Sequence, residues 1–173
     1  GRRGGNRNWN AYAPLFRVWP MRGKSPLAAG FGQAYPAATY PVERFDPELP
    51  VGILCGPLQP GIADGYHILG LDLDKAMTRA VLEQHIGALP PTLTSKGERH
   101  LYYFIPADHP LYQRNKAIVI DGGALDIRPC AGGYLVEKGD WDGGYDPMRI
   151  VELPSHALTA LAAILGEKRK RDG

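Results

Sequence analysis

Two aspartates in an apolar run are the residues of this sequence whose types and spacing most strongly suggest chemistry. Asp72 and Asp74 alternate with leucines in the segment LGLDLD (69–74). On a β-strand successive side chains point to opposite faces, so the leucines would pack in a core while both carboxylates share the other face. Two adjacent carboxylates repel each other and need a nearby cation. A divalent metal ion would meet that need, and metal ions held in this way commonly act on phosphates.

Two further strand-like segments also place polar residues on one face. His100 opens the aromatic segment HLYYFI (100–105), and Asp126 and Arg128 alternate with apolar residues in LDIR (125–128). If these strands are neighbours of the first, three carboxylates, one histidine and one arginine converge, and such a group could bind two divalent metal ions and a triphosphate. Simpler interpretations stay open for each piece: solvated acids at a strand end, a structural histidine, and a salt bridge between Asp126 and Arg128.

These residues need strands and helices to position them, and the hydrophobic pattern predicts such elements along the chain. Single strands are predicted at 51–55, 66–74 and 117–120. Hairpins are predicted to pair 92–94 with 99–105, and 124–128 with 134–137 across the glycines at 132–133. Helices are predicted at 75–89 and 154–165. The pattern indicates an α+β fold with a mostly antiparallel sheet.

The length of the chain suits one domain. Its 173 residues, 44% of them hydrophobic, can bury a sizeable core. We expect a flexible arm at 1–8, the domain itself at 9–166, and a basic tail or linker at 167–173. The net charge of +2 is mild, so a nucleic-acid contact would have to come from a local basic patch.

The sequence also bears on the compartment. It has no apolar run near the roughly 18 residues that cross a bilayer and no secretory signal. Cys55 and Cys130 are too few for a disulfide framework or a four-thiolate zinc site. We therefore expect a cytoplasmic protein with reduced thiols.

Three short motifs, in this order, resemble the archaeo-eukaryotic primase superfamily, and specifically the bifunctional DNA primase/polymerase domains of phages and plasmids. The motifs are GLDLD (70–74), TSKGERHLYYF (94–104) and ALDIR (124–128). Four flanking segments are also similar to the family: WPMRGKSPL (19–27), PAAT (36–39), VGILCG (51–56) and AGGYLVEKG (131–139). The resemblance covers about residues 10–157. It implies an RRM-like catalytic core, in which helices flank a mostly antiparallel sheet.

The resemblance implies an activity and its partners. The activity is that of a template-dependent nucleotidyltransferase, a DNA primase/polymerase that joins nucleotides on single-stranded DNA by two-metal-ion catalysis in phage or plasmid replication. Implied partners are the single-stranded DNA template, NTP or dNTP, and a fused or separate replicative helicase, with no membrane contact. The implied cofactor is Mg²⁺ or Mn²⁺.

The resemblance also implies a role for each motif residue. Asp72, Asp74 and Asp126 would be the catalytic metal ligands. His100 and Arg128 would contact the phosphates of the incoming nucleotide, where imidazole and guanidinium donors neutralise charge on the oxygens.

Some positions depart from the family pattern or keep two interpretations. Glu98 stands two residues before the motif histidine, where a small residue is usual, and would place an acid beside the triphosphate. The loop at 139–147 lacks the Pro-Ser-x-His that often follows the last strand. Lys96 could reach the same phosphates or could be a solvated turn lysine. Tyr134 and Trp141 could stack on bases or sugars, although Trp141 could equally be a surface loop aromatic.

Two other function classes remain open. One is a non-catalytic, RRM-like nucleic-acid-binding module, whose binding would survive loss of the acids. The other is a metal-dependent phosphohydrolase or nuclease, which would degrade DNA or nucleotides. Both enzyme hypotheses require Asp126 to lie within reach of Asp72 and Asp74.

Overall fold

Strands dominate the computed structural model, which describes residues 11–26, 50–109, 116–130 and 133–172. The expected arm at 1–8 and the family-like segment at 36–39 lie outside these residues. The eleven strands of the described residues are β1 (Arg17–Arg22), β2 (Ser25–Pro26), β3 (Val51–Leu54), β4 (Gly56–Pro57), β5 (Tyr66–Lys75), β6 (Leu93–Thr94), β7 (His100–Pro106), β8 (Lys116–Ile120), β9 (Gly123–Arg128), β10 (Tyr134–Glu137) and β11 (Val151–Glu152). The α-helices are α1 (Arg79–Ile86) and α2 (Ser155–Asp172), and short 3-10 helices span Lys96–Glu98 and Pro147–Arg149.

The larger of two sheets has β5 at its centre. Its strand order is β11-β7-β5-β9-β8, with β4 also paired to β5 and β6 to β7. Every pair is antiparallel except the parallel pair of β11 with β7. The predicted α+β fold with a mostly antiparallel sheet is confirmed, and so is the pairing of β6 with β7.

One face of this sheet packs against both helices. Leu69, Leu71 and Leu73 of β5 are buried there, as the alternation of apolar residues predicts, and they join Leu82 of α1 and Leu161 of α2 in one core cluster. Burial of this apolar surface is the main force that holds the helices on the sheet.

Helix α1 is shorter than the predicted 75–89. Thr78 caps it, because its side-chain oxygen accepts a hydrogen bond from the Val81 N–H at 3.1 Å. Gly87, with φ of 89°, ends it. Met77 and Leu89 still reach the core, from the turns on either side of the helix. The periodic apolar pattern thus extends beyond the hydrogen-bonded helix.

Helix α2 is longer than the predicted 154–165. It continues to Asp172, so the basic residues 168–171 lie on the helix and not in an extended tail. Lysine and arginine are good helix formers, and no proline interrupts the segment. Neither α-helix of the described residues is long and apolar enough to cross a membrane.

A smaller sheet, with strand order β10-β3-β1-β2, covers part of the other face of the large sheet. Ile53 and Leu135 of this sheet pack with Ile68 and Tyr102 of the large one. The predicted hairpin of 124–128 with 134–137 is wrong, because β9 pairs with β5 and β8 while β10 pairs with β3. The chain between β9 and β10 therefore passes from one sheet to the other. The described residues form three layers: helices, large sheet and small sheet.

Candidate active site

Strand register places Asp72 between two of the predicted site residues. Asp72 on β5 lies opposite His100 on β7 and opposite Asp126 on β9. Asp74 follows on the same face, opposite Ala124. Side chains directly opposite on neighbouring strands have Cβ atoms about 5 Å apart. The three carboxylates and the histidine therefore share one end of one sheet face.

Positively charged groups surround these carboxylates. The Arg99 guanidinium bridges two of them, with Nε 3.4 Å from Asp72 Oδ1 and Nη2 3.7 Å from Asp74 Oδ1. Arg128 Nη2 donates to Asp126 Oδ2 at 3.2 Å. The ion pair expected from the simpler interpretation of Asp126 is thus present. Like charges opposite each other destabilise a sheet, so these cations offset the repulsion that strand register creates.

The site opens from a buried end to a solvent-exposed end. Tyr102 is fully buried beneath the small sheet, whereas the side chain of His100 is 13% exposed. Exposure rises to 23% for Asp72 and to 53% for Asp74. A ligand would therefore approach from the side of Asp74, with His100 at the more buried end of the site.

A buried glutamate on the small sheet contacts this inner end. The carboxylate of Glu137 accepts a hydrogen bond from His100 Nδ1 at 2.8 Å and a short one from the Tyr102 hydroxyl. Burial and the adjacent Glu137 charge raise the pKa of Tyr102 well above its ordinary value. Sequence reasoning missed Glu137 and Arg99. The available signal was an acid two residues after Leu135, at the inward phase of an alternating strand.

The turn before His100 is held by the loop at 139–147. The Asp142 carboxylate accepts hydrogen bonds from the backbone N–H groups of Gly97 at 3.0 Å and Glu98 at 3.1 Å. Both residues have positive φ, which directs their N–H groups into one concave turn. Lys96 lies exposed in this turn. Its proposed contact with phosphates stays a prediction.

Glu98 is paired with an arginine. Its carboxylate lies 3.3 Å from Arg79 Nη1, and both residues line an open cavity of about 410 Å³ together with Thr92, Thr94 and Arg149. None of the three aspartates lines that cavity. Arg79 therefore offsets the acid at the position where the resemblance leads us to expect a small residue.

Trp141 belongs to the core. It is 8% exposed, and its indole N–H donates to the Tyr12 hydroxyl at 2.6 Å. The ring also packs against Tyr102 and Tyr145. Both predictions for Trp141, stacking on bases and a surface loop aromatic, are therefore wrong. Tyr134 donates its hydroxyl to the Lys24 carbonyl at 2.8 Å, and its role toward bases stays a prediction.

The cysteines are free thiols, with Cys55 buried and Cys130 partly exposed. Burial raises the pKa of Cys55 to about 12, although the charges of Arg128 and Arg17 oppose the shift. Cys55 is therefore a neutral core residue beneath the site and not a nucleophile.

The donor set fits a divalent cation chemically, although the described residues contain no group of three or more acids, histidines or cysteines arranged to hold a metal ion. Carboxylate oxygens are the ligands that Mg²⁺ and Mn²⁺ prefer. Arg99 already brings positive charge between Asp72 and Asp74, and its side chain is 51% exposed, so it can move aside.

Comparison with known proteins adds one positive finding. The model of the family described as bifunctional DNA primase/polymerase, N-terminal, matches residues 7–162. No curated protein and no solved structure matches the chain. The match includes every residue of the site and all of the described strands, and it ends within α2.

Proposed function

The chain belongs to the bifunctional DNA primase/polymerase N-terminal family, and from this premise we propose that it joins nucleotides on a single-stranded DNA template. The family is one of DNA primases and polymerases, which are nucleotidyltransferases. The observation that supports the proposal most is the register that sets Asp72 between His100 and Asp126. That arrangement combines acids for a cation with donors for phosphate on one face of the large sheet.

Members of this family generally use divalent metal ions. In our proposal Asp72, Asp74 and Asp126 would hold Mg²⁺ or Mn²⁺. When bound, such ions would neutralise phosphate charge and lower the pKa of an attacking 3′-hydroxyl. Arg99 would then leave its bridging position, because it occupies the space between two of these carboxylates.

The residues of the chain itself would bind and orient the triphosphate. His100 and Arg128 would donate hydrogen bonds to its non-bridging oxygens, with Lys96 as a further donor from the turn. Such donors stabilise the charge that develops on the leaving pyrophosphate, which is electrostatic catalysis without a covalent intermediate. Asp142 would support this indirectly, because it holds the turn from which His100 enters β7.

The biological setting follows from the resemblance. We propose a role in phage or plasmid replication, together with a fused or separate replicative helicase. A single-stranded template and NTP or dNTP would be the substrates.

An extension assay tests the activity. A labelled primer on a single-stranded template, and the unprimed template alone, are incubated with Mg²⁺ or Mn²⁺ and with either NTPs or dNTPs. We expect products longer than the primer, with incorporation that follows the template base.

The same assay separates the other function classes. Shortened DNA or hydrolysed nucleotides would indicate a phosphohydrolase or nuclease. Template binding without extension under any of these conditions would indicate a binding module. Either result contradicts the proposal.

A further inference from the structure

One arginine side chain lies against both of the site carboxylates on β5. Arg99 Nε is 3.4 Å from Asp72 Oδ1, and Arg99 Nη2 is 3.7 Å from Asp74 Oδ1. Both carboxylates are among those that the proposed function assigns to a divalent cation. A guanidinium and a metal ion that share two carboxylates repel each other strongly at such short range. Arg99 and the cation therefore compete for one pair of acids.

The backbone of Arg99 is held in place, whereas its side chain can rotate away. The Leu73 N–H of β5 donates to the Arg99 carbonyl at 2.9 Å, and the next residue, His100, donates its N–H to Ser95 Oγ at 2.8 Å. The Arg99 side chain itself is 51% exposed. The fold thus brings a guanidinium to the two acids from a fixed point and leaves it a path into solvent.

Both ion pairs of Arg99 are loose enough to be displaced. Charge-assisted hydrogen bonds from nitrogen to oxygen are about 2.7–2.9 Å long, and the two Arg99 pairs, at 3.4 and 3.7 Å, are clearly longer. The Asp74 side chain is 53% exposed, so water and salt screen its attraction to Arg99. Competition by Arg99 therefore weakens metal binding without preventing it.

The displaced guanidinium has an acceptor in the proposed substrate. Guanidinium groups bind phosphate oxygens through two parallel hydrogen bonds. Arg99 directly follows the turn Lys96–Glu98, which the proposed function sets beside the triphosphate through Lys96. A nucleotide bound there would draw away the charge that opposes the cation. Nucleotide binding and metal binding would then strengthen each other.

We propose that Arg99 is an internal counter-ion of the site, which competes with a divalent cation for Asp72 and Asp74 until the phosphates of the incoming nucleotide take up its guanidinium. The inference rests on the proposed function, because the same two acids hold the cation there. Its consequence is that metal alone binds weakly, whereas metal and nucleotide together bind tightly.

Manganese binding to nucleotide-free protein tests the competition without any activity. Electron paramagnetic resonance measures the Mn²⁺ that stays in solution as protein is added. Arg99→Gln should lower the Kd for Mn²⁺ about 10-fold, because two exposed ion pairs no longer oppose the cation. Arg99→Lys keeps the charge and should stay within about threefold of the wild type. Unchanged or weaker binding by Arg99→Gln, or no binding by any of these proteins, would overturn the proposal.

Lys116 supplies a matched control for the loss of one positive charge. It lies on β8 opposite Ile127, so its side chain is on the other face of the large sheet from Asp126. Lys116→Gln should keep the Kd for Mn²⁺ within about twofold of the wild type. A gain as large as that of Arg99→Gln would mean that net charge, and not competition by Arg99, controls metal binding.

Nuclear magnetic resonance of the arginine Nε–H groups follows the displacement in the wild-type protein. The Arg99 signal is the one that Arg99→Lys lacks. Mg²⁺ should shift this signal along the saturation curve of metal binding. The Arg149 signal should stay in place, because its guanidinium is held by the carbonyls of Asp142 and Gly144. An Arg99 signal that does not move while Mg²⁺ binds would overturn the proposal.

Nucleotide binding tests the transfer of the guanidinium to phosphate. With saturating Mg²⁺ and no template, a fluorescent dNTP should bind Arg99→Gln about 10-fold more weakly than the wild type, although this variant binds Mn²⁺ more tightly. Equal nucleotide affinity would contradict the transfer. A wild-type protein that extends no primer contradicts the proposed function. One that extends primers but binds Mn²⁺ as tightly as Arg99→Gln contradicts only the role of Arg99.

Discussion

At the scale of single residues, the electrostatics of the site depend on register between strands. Alternation along β5 was enough to predict that Asp72 and Asp74 share a face. The sequence did not reveal that Arg99 would bridge them, because its side chain comes from the neighbouring strand end. Glu137 was missed for the same reason, since its partners are 37 and 35 residues away in sequence.

Substitution of Glu98 tests whether its charge acts on the nucleotide. Because its carboxylate is paired with Arg79 and is half exposed, Glu98→Gln should lower the free energy of unfolding by no more than about 1 kcal/mol. The KM for the nucleotide should change less than about threefold. Chemical denaturation and steady-state kinetics measure both, with Glu152→Gln as the control. A tenfold fall in KM would instead place the Glu98 charge beside the triphosphate.

At the scale of elements, alternation and periodicity predicted which segments form strands and helices but not every partner. The segment 134–137 was correctly predicted as a strand. Its glycine-rich approach suggested a local hairpin, yet β10 pairs with β3, whose continuous apolar face lies about 80 residues earlier in the chain. Turn residues report local geometry, whereas the choice of partner depends on which face must be buried. The predicted ends of both helices were wrong for opposite reasons. The apolar periodicity continues beyond α1 into its flanking turns, whereas in α2 it stops before the helix does.

Two glycines let neighbouring elements approach the site strands. A Cβ on Gly70 would lie 2.7 Å from Leu135 Cδ1 and 2.8 Å from Cys55 Sγ, whereas one on Gly123 would lie 2.5 Å from the backbone nitrogen of Met77. Gly70→Ala should destabilise the fold by about 1–3 kcal/mol, because side-chain ends can move. Gly123→Ala should destabilise the fold by about 3 kcal/mol or more, because the backbone at Met77 cannot move aside.

Urea denaturation measures these differences, and α2 supplies the control. A Cβ on Gly166 meets no heavy atom within 4 Å. Gly166→Ala should therefore stabilise the protein by up to about 1 kcal/mol through helix propensity. Equal destabilisation by Gly70→Ala and Gly123→Ala would contradict the packing described for β5, β9 and the turn at Met77.

At the scale of the whole molecule, the described residues bury a thiol and two phenols between the layers, where these groups stay neutral. Burial raises the pKa values of Cys55, Tyr12 and Tyr103 to about 12, from ordinary values of 9.0 for the thiol and 10.0 for the phenols. The unfolded chain releases these protons at lower pH than the folded one. Stability is therefore complete below about pH 9 and declines as the pH rises toward 12.

Urea unfolding at a series of pH values measures this decline. Each group that titrates only in the unfolded chain should lower the free energy of unfolding by up to about 1.4 kcal/mol per pH unit. Tyr103→Phe removes one such group and should make the slope above pH 10 shallower. A free energy of unfolding that stays constant from pH 8 to pH 11 would contradict the burial of these groups.

We expect the acids brought together by strand register to support nucleotide addition, and single-nucleotide incorporation by matched aspartate variants tests this most directly. Asp72→Asn and Asp126→Asn remove one site carboxylate each, while Asp64→Asn removes an exposed acid from the turn before β5. We predict that both site variants fold, retain template binding, and incorporate at least about 100-fold more slowly, with Asp64→Asn unchanged. Incorporation by Asp72→Asn and Asp126→Asn at the wild-type rate would contradict the account.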